Sequence, residues 1–275
     1  SYYVASIVPK VTMTTHLADI LIYTLLGVAV LYPFFFWFTP RQKIDSGFYN
    51  FNLGLSGMLG GMALVLSWAT GMDQMHIYGI AGWLGLLLLV TYLYWNNEKI
   101  SLFVISFVSC LGCFVFILFA KSMFTDSNLY SVIFTGCVSQ AILAGVIFAM
   151  ILGHWYLNVV QLPIILLRRT SNALAILLII RLIWNLVQLQ SFSVVDQYGR
   201  MLSIFQYIAT LEGFFLGVSV FFGLLVPLIL HFFIWQTLKL HATQSATGLL
   251  YISVLAIMVG DLCYKYVLFQ NGLLL

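Results

Sequence analysis

The sequence predicts an all-α protein, a polytopic bundle of about eight transmembrane helices that forms one integral membrane domain over residues 1–275. Hydrophobic residues make up 63% of the chain and charged residues only 7%, whereas soluble domains contain about 25% charged residues. The apolar residues also fall into long stretches, and a helix that crosses the hydrocarbon core needs about 20 of them. Lipid is therefore the expected solvent for most of the surface.

Eight apolar stretches are long enough to span a bilayer, with short polar segments between them. We predict helices at about 17–39, 51–70, 77–95, 100–121, 130–156, 170–189, 202–236 and 246–270. The seventh stretch is longer than one span requires, so we expect it to tilt or to project beyond the lipid. Pro227 within it also predicts a kink, because a proline removes a backbone donor from the helix.

Basic residues in the connections predict the orientation of the bundle, because cytoplasmic loops carry an excess of Lys and Arg. The odd-numbered connections carry Arg41, Lys43, Lys99, Arg168, Arg169 and Lys239. The remaining connections and the start of the chain carry Lys10, Lys121 and Arg200. We therefore expect both termini on the outer, periplasmic side of a bacterial inner (cytoplasmic) membrane, with Arg168 and Arg169 as an anchor that precedes the sixth helix.

The second and third spans are rich in glycine. Glycines recur at close spacing in the second and third, from Gly54 to Gly61 and from Gly79 to Gly85, which favours a closely packed hairpin. A smooth wall against a flat ligand is the alternative.

Cys110 and Cys113 in the fourth span have the spacing of a redox motif, but no His or charge lies nearby, so we interpret them as packing residues. No metal site is predicted.

The fifth span ends in the segment Gly153-His154-Trp155-Tyr156-Leu157-Asn158. This segment supplies an imidazole, an indole N–H, a phenol and an amide at the expected membrane edge. A helix that only faces lipid does not need that set, whereas a helix that holds a ring-shaped ligand or a redox cofactor does.

Ionisable residues inside predicted spans are costly and by default indicate function. They are His16, Asp19, Arg181, Glu212, Asp261 and Lys265. With the topology above, all of them fall in the outer half of the bilayer, and Asp261 and Lys265 share one face of the eighth helix. Two interpretations stay open. The acids and bases form an ion-pair network that holds the first, sixth, seventh and eighth helices together, or they line a proton-accessible quinone or quinol site, in which a carboxylate or imidazole takes the protons.

The five histidines allow a second hypothesis, because haem b needs two neutral imidazoles on different helices at matching depth. His154 with His231 or His241 would supply them on the inner side, and His16 with His76 on the outer side. Each histidine alone is also compatible with a simple hydrogen bond at the membrane interface. Haem b is therefore a candidate cofactor beside quinone.

The stretch Gly260-Asp261-Leu262-Cys263-Tyr264-Lys265-Tyr266 resembles the last helix of the NrfD/PsrC-type and DmsC-type membrane subunits. In those families a glycine precedes a basic and an aromatic residue by a few positions. The resemblance implies eight or more helices, frequent absence of haem, and electron transfer between a quinone pool and an iron–sulfur partner. Lys265 stands where those families usually have arginine, Asp261 is an addition, and none of their quinone-site residues is carried over to this chain.

We predict an integral membrane subunit of a multi-subunit respiratory or photosynthetic electron-transfer complex, with membrane and redox subunits and lipids as partners. The net charge of +3 is too small and too scattered for nucleic-acid binding. The sequence carries neither a nucleotide motif nor a cysteine set for an iron–sulfur cluster, so a complete redox path needs partners; any enzyme would be a quinone-linked oxidoreductase subunit that is not active alone. A secondary transporter that uses the same buried charges, or a structural subunit, is the alternative.

Overall fold

Most of the chain is helical. The computed structural model describes residues 13–40, 43–95, 101–124, 128–159, 162–189, 194–195 and 201–272, and only the backbone of residues 13–16, 194–195, 201–202, 204–205 and 271. Within these ranges the α-helices are α1 (Met13–Leu31), α2 (Ser46–Ala69), α3 (Gln74–Tyr94), α4 (Leu102–Met123), α5 (Leu129–Asn158), α6 (Ile165–Leu189), α7 (Ile204–Ile208), α8 (Leu211–Val220), α9 (Val226–Lys239) and α10 (Thr243–Asn271). Two short strands, β1 (Val194–Val195) and β2 (Met201–Leu202), pair antiparallel between α6 and α7.

Eight helical segments of the described chain are long and apolar enough to cross a membrane. They are Leu17–Phe38, Ser46–Ala69, Gln74–Tyr94, Leu102–Met123, Leu129–Asn158, Ile165–Leu189, Leu211–Lys239 and Thr243–Gln270. The predicted all-α bundle of about eight spans is therefore confirmed. Its orientation stays a prediction, and following it we name the end with the α2–α3 connection the outer end and the opposite end the inner end.

The first span changes helix type near its inner end. From Tyr32 to Phe38 the chain continues α1 as a 3-10 helix, with Pro33 in the first positions of this segment. Proline fits there because it has no N–H to donate. Tyr32, Phe35 and Phe36 of this segment are buried, and Phe36 packs against Tyr49 of α2 and Phe148 of α5, whereas Trp37 is exposed.

The sixth span begins earlier than predicted, at Ile165 instead of residue 170. Arg168 and Arg169 therefore lie inside α6 and not in the connection before it. The first turn forms after Pro163, whose carbonyl accepts the Leu166 N–H at 3.1 Å. Arginine is a good helix former, and its long side chain can reach the membrane edge from inside a helix.

The seventh span also differs from the prediction, which placed one helix at 202–236. The short helix α7 is separate, and α8 starts afresh where the Thr210 hydroxyl accepts the Gly213 N–H at 3.1 Å. A π-helical turn from Phe221 to Leu225 joins α8 to α9 just before Pro227. The irregularity that we expected at the proline thus takes the form of a π turn that precedes it, where the proline could not have donated a regular helix bond.

At the centre of the bundle lie α1, α5 and α10. Helix α5 packs against α1, α6 and α10, while α10 also packs against α8, the π turn and α9. Helices α2, α3 and α4 form the other side, around α1. On the far side, α6 packs against α5 and α9 but makes at most marginal contact with α8.

Candidate functional site

A buried ion pair joins Asp261 and Lys265, one turn apart on α10. Lys265 Nζ donates to Asp261 Oδ2 and, at 2.8 Å, to Thr24 Oγ1 on α1. Ser139 on α5 donates its hydroxyl to Asp261 Oδ1 at 2.6 Å. Lys265 is 0% and Asp261 8% exposed. Both charges are thus paired and hydrogen-bonded, which is the condition under which buried charges are tolerated.

Arg181 approaches this pair from α6 and is buried. Its Nη1 donates to the Thr135 carbonyl on α5 at 3.3 Å, and its guanidinium carbon lies 4.3 Å from the centre of the Tyr264 ring. Trp184, on the next turn of α6, donates its indole N–H to Thr135 Oγ1 at 3.0 Å. These contacts fix the guanidinium beside α10, in an arrangement that combines a hydrogen bond with a cation–π contact.

A cavity of about 40 Å³ borders Asp261 and Arg181. Its polar lining comprises Ser139, Arg181, Asn185, Ser219, Asp261 and Tyr264. A water molecule needs about 10–15 Å³ of such space, so the cavity has room for a few waters or for the polar edge of a larger ligand. Asn185 Oδ1 is buried here and has no hydrogen-bond partner in the described part of the chain.

The cavity lies in a gap between α6 and the seventh span. Both helices line it, α6 through Arg181 and Asn185 and the seventh span through Ser219 and Gly223. Because α6 and α8 make at most marginal contact with each other, the two sides of the gap are not packed together. The gap lies at the outer half of the spans, beyond the region where α6 packs against α9.

The π turn brings the seventh span very close to α10 at the same level. A Cβ added to Gly260 would overlap the Gly223 backbone, and one added to Gly223 would lie 3.3 Å from Gly260 Cα. Gly260 thus has no room for a side chain and Gly223 has little, so small residues permit this approach. The irregular turn therefore forms one wall of the cavity, and π turns of this kind often occur at functional sites.

Asp19 lies apart from this cluster. It lines a second cavity of about 420 Å³ at the outer end, together with Thr70, Met72, Asp73, His76, Ser122 and Met123. Four rings pack around Tyr23, one turn below Asp19: Phe116 and Phe119 of α4, Phe124 directly after α4, and Phe269 of α10, at 5.0–6.5 Å between ring centres. Lys265 Nζ approaches the same Tyr23 ring at 5.8 Å. This aromatic layer therefore lies between the Asp19 cavity and the buried ion pair.

Glu212 and His16 complete the predicted set of ionisable residues. Glu212 lies half-buried in the first turn of α8 and lines neither cavity. The side chain of His16 lies outside the described residues. Of the six residues that the sequence singled out, the fold brings together Arg181, Asp261 and Lys265. Sequence reasoning missed the groups that contact them, Thr24, Thr135, Ser139 and Tyr264, for which the only signal was polarity within an apolar stretch.

The histidines proposed as haem ligands occupy separate positions. His154, exposed at the end of α5, shares a hydrogen bond of 3.2 Å between its Nδ1 and the Tyr251 hydroxyl. His231 on α9 shares a hydrogen bond of 3.1 Å between its Nδ1 and the Ser171 hydroxyl on α6. Helix α6 packs between α5 and α9, and neither histidine lines the two cavities. His241 stands in the α9–α10 turn with φ 58.

Haem ligation by His154, His231, His241, His16 or His76 therefore stays a prediction. Two of these histidines, His231 and His154, each already share a hydrogen bond with another residue through Nδ1. Among the described residues, no histidine lines the cavity beside Asp261, and His76 is the one histidine that lines the cavity beside Asp19. In the described ranges there is also no group of three or more His, Cys, Asp or Glu residues that could hold a metal ion.

Comparison with family models, with curated proteins and with solved structures gives no match to this chain. The resemblance to quinone-linked membrane subunits thus rests on residues 260–266 and on the number of helices. Conclusions about function have to come from the site itself.

Proposed function

We propose that the chain is an integral membrane subunit that binds a quinone or quinol at the gap between α6 and α8 and serves a larger electron-transfer complex of a bacterial inner membrane. One observation carries the proposal. A buried carboxylate and a buried cation, Asp261 and Arg181, line a cavity between two helices that make at most marginal contact, and Lys265 pairs with Asp261 beside it. A lipid-soluble substrate reaches such a site sideways from the bilayer.

The residues around the cavity match the needs of a quinol. Arg181 donates hydrogen bonds and suits a quinone oxygen, while the unpartnered Asn185 Oδ1 suits a quinol hydroxyl. Asp261 is the proton acceptor, and Lys265 and Ser139 hold its carboxylate in place. Because the cavity measures only about 40 Å³, it accommodates the oxygen-bearing edge of the ring, and the remainder of the ring and the tail lie in the gap.

Quinol oxidation releases two protons and two electrons, so the electrons need an acceptor. The sequence has four cysteines, all in apolar spans, and they do not form the set of four at close spacing that holds an iron–sulfur cluster. We therefore assign the acceptor, a haem or an iron–sulfur cluster, to partner subunits. The role of this chain is then to bind the quinol, to take up its protons and to present it to those partners.

Quinone binding to the purified chain tests the proposal, with Trp184 as a fluorescent reporter beside Arg181. Asn185→Leu should raise the Kd for a short-tailed quinone about tenfold, because it removes one hydrogen bond to a buried acceptor. It should not weaken folding, since Asn185 Oδ1 has no partner within the described chain. Asp261→Asn should weaken binding further.

The matched control is Asp19→Asn, which changes an acid in the other cavity and should leave the Kd unchanged. Binding that does not saturate, or a Kd that is the same in Asn185→Leu, Asp261→Asn and the unmodified protein, would contradict a quinone site at this cavity.

A secondary transporter is the second candidate, and the interrupted seventh span favours it. Transporters bind substrates beside broken helices near the membrane midplane, and the π turn before Pro227 lines the cavity through Gly223. Extraction of the purified protein with solvent separates the two functions. A quinone that co-purifies supports electron transfer, whereas a quinone-free preparation that moves protons together with a solute in liposomes supports transport.

A further inference from the structure

Arg168 occupies an unusual position at the inner end of the bundle. It lies in the first turn of α6, half-buried, and its Nη2 donates to the Leu238 carbonyl at the end of α9 at 3.3 Å. Its Nε is buried and has no hydrogen-bond partner within the described chain. A guanidinium presents five N–H groups in a fixed plane, so Arg168 is only partly satisfied by the protein.

Two further cations stand beside it. Arg169 follows on α6 and is exposed, and Lys239, the last residue of α9, directly follows the carbonyl that Arg168 binds. Lys239 Nζ lies 3.3 Å from the centre of the Trp235 ring. Within the described ranges, no carboxylate forms an ion pair with any of these three residues. They therefore form a positive patch that the described chain leaves without a counter-charge.

The patch lies at the end of two membrane-spanning helices that pack against each other, α6 and α9. On the adjoining turns of α9, Phe232 is 54% and Trp235 37% exposed, so apolar surface continues directly from the cations into the lipid region. Cations at the membrane edge above an apolar surface match a molecule with an anionic head and apolar chains. Basic sites between transmembrane helices bind anionic lipid headgroups in this way.

We propose that Arg168, Arg169 and Lys239 bind the phosphate of an anionic phospholipid whose acyl chains lie along α9. This inference is independent of the proposed quinone site, which lies in the outer half of the bundle. An acidic soluble protein is less suited to the patch, because Arg168 is half-buried and bound to the end of α9, and a small phosphate group needs less access than a broad protein surface. Arginine suits the phosphate because its planar fork can donate two parallel hydrogen bonds.

The test uses the full chain in detergent with either phosphatidylglycerol or phosphatidylcholine added, with bound lipid counted by native mass spectrometry and the Tm measured alongside. We expect the unmodified protein to retain phosphatidylglycerol preferentially and to gain Tm from it. Each removed cation should weaken binding about fivefold, so Arg168→Gln/Lys239→Gln should weaken it about 25-fold. If the double variant does not fold, the single variants Lys239→Gln and Arg169→Gln test the same prediction, because each should weaken binding about fivefold.

Lys43→Gln is the matched control, since Lys43 is an exposed base that we predict at the same end of the bundle but before α2. It should retain the lipid preference. Equal retention of both lipids, or an equal loss in Lys43→Gln, would overturn the proposal. If glycerol phosphate alone raised the Tm by the same amount, the proposal would be overturned and a soluble phosphate compound would be the ligand. If an acidic peptide displaced the bound phosphatidylglycerol, the proposal would be overturned and a protein would be the partner.

Discussion

Two consecutive residues of α5, Ser139 and Gln140, face different neighbouring helices and meet opposite conditions. Ser139 points to α10 and completes the hydrogen bonds of the Asp261 carboxylate. Gln140 points to α1, where its side chain packs against Gly27, and neither atom of its amide has a partner in the described chain. Gln140 is nevertheless 0% exposed.

The difference teaches where this bundle places its polar interactions. On the α10 side, a carboxylate, an ammonium and a hydroxyl satisfy one another beside a cavity. On the α1 side, the neutral Gln140 amide is buried in tight packing without a hydrogen-bond partner among the residues that the structure describes. An unpaired buried amide costs about 1–3 kcal/mol, whereas an unpaired buried charge costs several times more. Around α5 the fold thus satisfies the charges of Asp261 and Lys265 and tolerates the unsatisfied Gln140 amide, which makes the α10 side the better candidate for chemistry.

The largest expected effect comes from breaking the ion pair on the α10 side. Lys265→Met leaves Asp261 as a buried charge without its cation and should lower the free energy of unfolding by about 3–5 kcal/mol. The measurement is unfolding by titration with a denaturing detergent. Asp261→Leu/Lys265→Met should recover most of the loss, because replacing both charges removes the uncompensated one. If the single variant is as stable as the unmodified protein, the pair is not a buried, mutually dependent unit.

An intermediate effect comes from adding one methyl group on each side of α5. A Cβ at Gly260 meets the Gly223 backbone, which cannot rotate away, whereas a Cβ at Gly27 meets the Gln140 side chain and the Phe116 ring. Gly260→Ala should therefore cost about 3 kcal/mol and Gly27→Ala about 1 kcal/mol. Gly248→Ala, on the same helix as Gly260 but with no neighbour within 4 Å, should be neutral in the same unfolding titration. Equal losses at residues 27 and 260 would show that the two sides are packed alike.

The sequence predicted the eight spans because long apolar stretches have few alternatives in a bilayer. It also predicted that Arg181, Asp261 and Lys265 matter, because buried ionisable residues are rare. It could not separate Asp19 from them. Depth in the membrane follows from position along a helix, but the direction in which a side chain points depends on how the helices pack, and Asp19 turns toward α2, α3 and α4.

The partners of the charged residues were out of reach for a related reason. Thr135 and Ser139 look like ordinary small polar residues in an apolar stretch, and only the packing of α5 between α6 and α10 gives them a role. Loop charges likewise predicted an anchor at Arg168 but not its place inside α6, because the charge rule does not locate the helix boundary. Its bond to Leu238 depends on which helix ends meet.

The smallest effect should be a gain, on the α1 side of α5. Gln140→Met keeps the length of the side chain and replaces two unpartnered polar atoms by apolar ones, so it should raise the free energy of unfolding by about 1 kcal/mol. The matched change on the other side, Ser139→Ala, should lower it by about 1 kcal/mol, because Asp261 loses a donor. Opposite signs at two adjacent residues of one helix would be hard to obtain from a general loss of packing. A loss of stability in Gln140→Met would instead show that buried water satisfies the amide, and the contrast between the two faces of α5 would then disappear.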